Sequence, residues 1–203
     1  IRTYELGRCA MIQNVVNPKP AEKILNAAFE CLSTRGYANV SMRNIAEEAG
    51  VALGQMTYYY KSKEALFLEV IDRMTLQYLR EVEELLDSAT GQKQKLESLI
   101  QFFKGLLKHN PRLFKLLIDF TAQALWVPSF REQLDKLYHR LTELIEKNLV
   151  LDAKTDRRYL GYSSQSVAKL ILGALNGISI QIMLDCDRDD SFESLFLTES
   201  LLG

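Results

Sequence analysis

The sequence predicts an all-α protein with two helical domains, and three observations lead to that prediction. The 203 residues include only four prolines and ten glycines, so few positions interrupt a helix. Apolar residues recur at intervals of three and four over long stretches, which is the spacing of one helix face. With 47% hydrophobic and 25% charged residues, the composition is that of a globular domain. It excludes a disordered tail, a collagen-like repeat and a disulfide scaffold.

The first two helices are predicted from residues that start and stop helices. The first begins near Pro20, because proline suits the first helical turn, and it ends at Gly36. Ser41 then caps a short helix that Gly50 ends nine residues later. The later predicted helices cover about 53–59, 63–88, 92–108, 112–126, 129–148, 160–185 and 192–201, with a charged loop at 151–158.

Two local signals mark boundaries farther along the chain. The sequence Ala-Thr-Gly at 89–91 interrupts the long helical pattern, and Ser129 with Glu132 forms a capping box that opens the next helix. The expected division is a lead-in of residues 1–18, a first domain of residues 19–66 and a second domain of residues 67–203.

Charge and cysteine content limit the partners and the compartment. The net charge of −1 excludes a generally basic nucleic-acid binder but is compatible with a local basic surface. The longest uncharged run, Leu170–Leu184, has fifteen residues and is shorter than a bilayer requires, so no membrane partner is expected. Three widely spaced cysteines without a CxxC pair predict free thiols in a reducing cytoplasm.

Residues 41–63 are the most informative stretch. Two short helices joined by a tight turn at Gly50 are typical of a helix-turn-helix, because glycine adopts the left-handed conformation of the turn. Gln55 lies on the outward face of the second helix, and a glutamine amide can bond an adenine edge bidentately. The inward positions are Ile45, Ala49, Val51, Met56 and Tyr59, and the other outward positions are Leu53, Thr57 and Tyr58.

An ordinary helical hairpin with surface tyrosines is the alternative for this stretch. Periodicity does not separate the two interpretations. Local charge favours nucleic-acid binding weakly, because residues 35–63 carry four basic and two acidic side chains, a net charge of +2.

Five segments in the first third of the chain fall in the register of one known signature. They are Ile24–Ala28, Gly36–Tyr37, Ser41–Ala46, Ala49–Val51 and Tyr59–Leu66. Together, Ala21–Leu66 resembles the amino-terminal signature of the tetracycline-repressor (TetR/AcrR) family of bacterial transcription regulators. The resemblance covers about a quarter of the chain.

The resemblance implies a homodimer that binds a palindromic double-stranded DNA operator and acts as a ligand-responsive repressor, with no catalytic residue, metal or cofactor. Three positions depart from the family's usual pattern: Ala52 replaces a capping Ser or Thr, Leu53 a polar or basic residue, and Thr57 a tyrosine. By position, Ser41, Tyr58, Tyr59 and Lys63 would hold phosphates, Arg43 a phosphate or base edge, and Leu53, Gly54, Gln55 and Thr57 would read the groove.

The second domain combines large apolar residues with a few polar ones, which is the composition of an apolar pocket with sparse polar anchors. The family's second domain commonly binds small effectors, so a small apolar or amphipathic effector is expected. An ordinary core is the alternative for each residue. The candidates are Phe102, Phe103, Phe120, Gln123, Trp126, Tyr138 and Asn176.

Two helices carry apolar patterns that predict a dimer interface. Helix 160–185 has two apolar faces, one with Val167 and Ile171 and the other with Leu170 and Gly177, so a partner is expected to cover one of them. The central helix of a monomer is the alternative. The expected interface residues are Leu134, Leu137, Leu141, Val167, Ile171, Gly173, Ala174, Gly177 and Ile178.

Signals of catalysis or metal binding are weak. Ser166 and Lys169 form an SxxK pattern without partner motifs, and His109 and His139 have no second ligand at metal spacing. The rival to a DNA-binding regulator is a helical small-molecule binding or catalytic protein with an incidental helix-turn-helix.

Overall fold

A computed structural model of the chain describes residues 19–149, 161–185 and 192–195. Within those ranges the chain is helical and contains no strand, so the all-α prediction is confirmed. The elements are α1 Pro20–Arg35, a 3₁₀ turn η1 at Tyr37–Asn39, α2 Met42–Ala49, α3 Leu53–Tyr59, α4 Lys63–Ser88, α5 Gln92–His109, α6 Pro111–Ala124, α7 Pro128–Leu149 and α8 Ser164–Leu184.

The predicted start and end of α2 are confirmed. Ser41 caps α2 through its side-chain oxygen, which accepts from the Asn44 amide at 3.2 Å. Gly50 follows α2 in the left-handed conformation, with φ 64° and ψ 34°. The Ser62 hydroxyl accepts from the Ala65 amide at the start of α4. These local bonds explain why the sequence located the helix ends correctly.

The junction between α6 and α7 differs from the prediction. α7 begins at Pro128 rather than at a capping box, and the Ser129 hydroxyl instead donates to the Glu64 carboxylate on α4. α6 ends at Ala124, and the Arg131 guanidinium donates to the carbonyls of Ala124 and Leu125 at 3.3 and 3.0 Å. These bonds satisfy carbonyls left at the helix end. At this junction, side-chain bonds to Glu64 and to the end of α6 are therefore formed in place of the expected capping box.

Three other expectations concern segments that are wholly or mostly outside the described residues. They are the lead-in 1–18, the loop 151–158 and the final helix, of which only residues 192–195 are described.

The chain divides into two compact units. Of the described residues, the first unit contains 19–77 and Arg112–Asp135, and the second contains Tyr78–Pro111, 136–149, 161–185 and 192–195. α6 and the first turns of α7 therefore belong to the unit that contains the helix-turn-helix. These units do not follow the expected sequence division at residue 66, and the functional meaning of that division stays a prediction.

An aromatic cluster explains why α6 and the first turns of α7 belong to the first unit. Phe67 of α4, Phe120 of α6 and Phe130 of α7 are fully buried, and their ring centroids lie 5.0 to 5.8 Å apart. Tyr37 of η1 stacks against Phe67 at 4.7 Å. Ring pairs at such distances contribute beyond their buried area. The cluster thus ties η1 to three helices.

In the second unit, α5 packs against α8. Tyr78 is buried beside Phe102, with ring centroids 5.4 Å apart, and burial raises the pKa of its phenol well above the usual value. The Lys95 ammonium donates to the Asn148 side-chain oxygen at 2.7 Å.

α8 is longer than its uncharged core. The helix has 21 residues and is apolar enough to cross a bilayer by length and composition, so the fifteen-residue uncharged run does not by itself decide against a membrane span. Its face of Val167, Ile171 and Leu175 is buried, as in the core helix of a folded domain.

Candidate nucleic-acid interface

α3 presents a row of side chains to solvent. Met56 is fully buried and anchors the helix, whereas Tyr58 is 74% and Leu53 45% exposed, and Gln55 and Thr57 are also exposed. Ala52 at the N-cap makes no side-chain bond to the helix, so the amides of the first turn have no cap from that residue. The helix offers an amide, a hydroxyl, a phenol and a methyl-rich side chain, which are groups that contact bases and phosphates.

α2 has a capping box at its start, and its polar face is exposed to solvent. Ser41 and Asn44 bond reciprocally through side chain and backbone, with Ser41 N to Asn44 Oδ1 at 3.0 Å. Arg43 makes an exposed ion pair with Glu47 at 3.3 Å, which holds the guanidinium only weakly. Both expected contact residues of α2 are therefore at the surface.

Aromatic rings and a cation adjoin the end of α3. Tyr58 and Tyr59 meet edge to face at 5.3 Å, and the Lys61 ammonium lies 5.9 Å from the centre of the Tyr58 ring. A phenol hydroxyl and an ammonium beside one another suit a phosphate backbone.

Lys63 has an internal role that the resemblance did not indicate. Its ammonium donates to the carbonyls of Tyr37 and Val40 at 2.7 and 3.0 Å and lies 4.0 Å from the Tyr37 ring centre. Burial lowers the pKa of Lys63, and the Asp119 carboxylate opposes that shift. Two of its three N–H donors are thus used inside the first unit.

Gly54 is not required by the packing of the folded chain. A Cβ built on Gly54 meets no atom within 4 Å, and its φ is not positive. Glycine is a poor helix former, so its presence in α3 is explained if a partner's surface must approach the backbone there.

The seven effector-site candidates are divided between the two units. Phe120, Gln123 and Trp126 lie in the first, and Phe102, Phe103, Tyr138 and Asn176 in the second. Phe120 belongs to the aromatic cluster. Trp126 is 84% exposed in the turn after α6, which corrects its assignment to an interior wall. Aromatic composition indicated core residues, but the sequence did not indicate which ring would face solvent.

The interface candidates also separate by burial. Those of the α7 seam, Leu134, Leu137 and Leu141, are buried within the chain, as are Val167 and Ile171 of α8. They cannot form an outward face, because a regular apolar spacing marks a buried stripe without saying what covers it. Gly173 is exposed, and Ala174, Gly177 and Ile178 are half-buried.

The outward apolar face of α8 is the second of the two faces expected from its sequence. Leu170 and Leu184 are 56% and 79% exposed, and Ile180 is exposed as well. A Cβ built on Gly173 or Gly177 meets nothing within 4 Å, so the backbone there is accessible.

Sequence reasoning missed two functional candidates. The Asp119 carboxylate accepts from the Tyr37 amide at 2.6 Å, across 82 residues of sequence. Ser179 on α8 is fully buried, and its hydroxyl has no hydrogen-bond partner among the residues that the structure describes. Nothing in their local sequence signals either feature.

Comparison with known proteins relates the helix-turn-helix region to bacterial regulators. The family profile described as "Bacterial regulatory proteins, tetR family" matches residues 24–70. An HTH-type transcriptional regulator from the dhlA 5′ region of Xanthobacter autotrophicus is 25% identical over 138 residues, which is 67% of this chain and 68% of that protein. The chain spans only about half the length of two further relatives that it matches, 44% of one and 53% of the other.

Solved structures share the fold. A transcriptional regulator from Streptomyces coelicolor superposes with a TM-score of 0.71 at 24% identity, covering 91% of this chain and 99% of that one. The regulator FadR from Bacillus subtilis, solved with stearoyl-CoA, superposes with a TM-score of 0.70 at 19% identity, covering 89% and 96%.

The matched profile contains α2, the Gly50 turn and α3, and it also includes Lys63 and the buried start of α4. On the evidence of this profile, residues 24–70 form a helix-turn-helix region of the tetR family of bacterial regulatory proteins.

Proposed function

We propose that the protein binds a palindromic operator as a homodimer, represses transcription, and is released by a small apolar or amphipathic ligand. The observation that carries this proposal is the exposed face of α3. Its side chains Leu53, Gln55, Thr57 and Tyr58 point to solvent and do not contribute to the buried core. A short helix anchored by one buried methionine and directed outward suits a major groove, which admits one helix. The DNA partner places the protein in the bacterial cytoplasm.

The outward face of α8 supports the homodimer. Leu170, Ile180 and Leu184 are apolar and exposed, and the two open glycines between them allow a second helix to approach closely. The outer face of α7, by contrast, is charged and includes the Glu143 carboxylate paired with both His139 and Arg140. The proposed interface is therefore centred on α8 rather than on the α7 seam.

Ligand control requires that the ligand bind better to a conformation that fits the operator poorly, since equal affinity for both would shift nothing. α4 is one unbroken helix from Lys63 to Ser88 and contributes to both units, which makes it the proposed route of coupling. Two recognition helices must lie roughly 34 Å apart to enter successive major grooves, so a shift of a few ångströms weakens binding.

The DNA-binding part of the proposal is tested by a mobility shift with the intergenic DNA upstream of the gene. We expect a specific complex whose affinity falls steeply as salt rises, because phosphate contacts release counterions. Suppose instead that the protein binds this DNA no better than an unrelated fragment of equal length at every salt concentration. That result would contradict the proposal that it regulates genes next to its own.

The ligand part is tested with stearoyl-CoA, because the Bacillus subtilis neighbour was solved with it. Operator affinity should fall as stearoyl-CoA is added, and operator DNA should weaken stearoyl-CoA binding by the same factor. Ser179→Ala is the variant to compare, since the hydroxyl is buried and has no partner within the described part of the chain. Its removal should not lower stability but should weaken the binding of a ligand that the hydroxyl anchors. Binding of stearoyl-CoA with unchanged operator affinity would refute the coupling.

A further inference from the structure

η1 is the single 3₁₀ turn that connects α1 to α2, and charged side chains from two other helices hold its two ends. Asp119 comes from α6 and Lys63 from α4, and both contact the backbone of the turn directly. Ser41, the N-cap of α2, lies two residues after the end of η1. The position of η1 therefore sets where α2 begins.

At the amino end, Asp119 supplies a cap that the local sequence lacks. Gly36 occupies the N-cap position of η1 and has no side chain to offer, so the Tyr37 amide would be left without an acceptor. Asp119 Oδ2 accepts from that amide at 2.6 Å. A carboxylate bonded to a backbone amide at a helix start is a charge-assisted hydrogen bond and the stronger kind.

Gly36 is favoured by its backbone conformation rather than by lack of space. Its φ of +76° is unfavourable for other residues, whereas a Cβ built there would make an ordinary contact with Asp119 Oδ2 at 3.4 Å. The glycine thus ends α1 in a conformation that other residues rarely adopt.

The Lys63 ammonium binds the carbonyl of Tyr37, the first residue of η1, and the carbonyl of Val40, which follows the turn. Tyr37 is therefore held twice, by Asp119 at its amide and by Lys63 at its carbonyl. Val40 is buried, so the chain entering α2 is fixed by packing as well as by hydrogen bonds.

We infer that Asp119 is a positioning residue for DNA binding: it makes the orientation of α2 and α3 depend on the position of α6. This inference rests on the proposed function. Among the described residues, the second carboxylate oxygen of Asp119 receives one long contact, 3.5 Å from the Gln123 amide nitrogen one turn along α6. A small shift of α6 would withdraw the carboxylate from Tyr37 and free the start of the helix-turn-helix.

The test compares Asp119→Ala and Asp119→Asn with two controls. Arg112→Ala removes another contact of α6, the exposed ion pair between Arg112 and Glu30 of α1. Ile100→Val perturbs the core of the second unit. Operator affinity, thermal unfolding and amide hydrogen exchange at Tyr37 and Ile45 are measured on the full chain for each variant.

We expect Asp119→Ala to weaken operator binding by about tenfold and to speed exchange at both amides, since a hydrogen bond to a charged group is lost. Asp119→Asn keeps an acceptor oxygen and should recover most of the affinity. The two controls should bind the operator as the wild type does, even where their unfolding temperature falls.

Operator affinity of Asp119→Ala within twofold of the wild type would overturn the inference and leave the proposed function standing. If the wild type binds no operator, the proposed function fails instead, and unchanged exchange at Tyr37 and Ile45 in Asp119→Ala would then overturn the positioning role by itself.

Discussion

The exposed faces of α3 and α8 show how differently two helices of one chain can meet solvent. α3 exposes Gln55, Thr57 and Tyr58, which combine polar groups with small apolar areas, and a single buried residue anchors it. α8 exposes Leu170, Ile180 and Leu184, and glycines lie between them. The opposite face of α8 is buried. The first surface suits a hydrated, charged partner, and the second suits another apolar helix.

The largest expected effect comes from breaking the α8 surface. Gly177→Arg places a long charged side chain where close approach is proposed, so the homodimer should dissociate to a species of 23.2 kDa in sedimentation. Operator affinity should fall by about a hundredfold or more, because one subunit can engage only one half-site.

Gln165→Arg is the matched control, since it adds the same side chain to an exposed position of α8 away from the apolar strip. It should remain dimeric. A wild type that sediments as a monomer at micromolar concentration would remove the basis for assigning this surface to a second copy.

The next largest effect is expected at the α3 surface. Gln55→Ala should cost about 1 to 3 kcal/mol on the specific operator and relax the preference at one base pair, without changing non-specific binding. Gln101→Ala, an exposed glutamine on α5, serves as the control. Competition binding with single-base operator variants measures the effect, and equal losses at every base pair would argue against direct reading by Gln55.

Lys63 and Lys61 are expected to have different roles. The first stabilises the folded chain through hydrogen bonds to backbone carbonyls, and the second contacts DNA phosphates. Lys63→Ala should lower the free energy of unfolding by roughly 1 to 3 kcal/mol, because two carbonyls lose their donor. Lys61→Ala should leave stability unchanged and reduce the salt slope of DNA binding by about one. If Lys63→Ala instead reduces the slope by one at unchanged stability, its main role is the phosphate contact that the family resemblance implies.

The smallest effect is expected at Gly54. Gly54→Ala should keep or raise the stability of the free protein by up to about 1 kcal/mol, because the new Cβ enters open space and alanine favours helix. Operator affinity should nevertheless fall a few-fold if the backbone of α3 approaches DNA at that point. Chemical denaturation and mobility shifts on the same preparation separate the two, and unchanged affinity would place Gly54 outside the contact surface.

Local signals located the start and end of α2 from sequence alone, and the family resemblance then favoured a helix-turn-helix over an ordinary helical hairpin. Ser41 and Gly50 act on amides and carbonyls within a few residues of themselves, so their roles could be read without knowing the fold. The two apolar faces of α8 were likewise visible, because burial on one side and exposure on the other both follow from helical spacing.

Tertiary structure decided which surfaces those patterns meet. The α7 seam of Leu134, Leu137 and Leu141 is covered by the chain itself, although its spacing equally suited a second copy. Ser129 bonds to Glu64 instead of capping its own helix. Asp119 holds Tyr37 from 82 residues away. A periodic pattern records that a side chain is buried or that a backbone group needs a partner, and only the packed chain supplies the partner's identity.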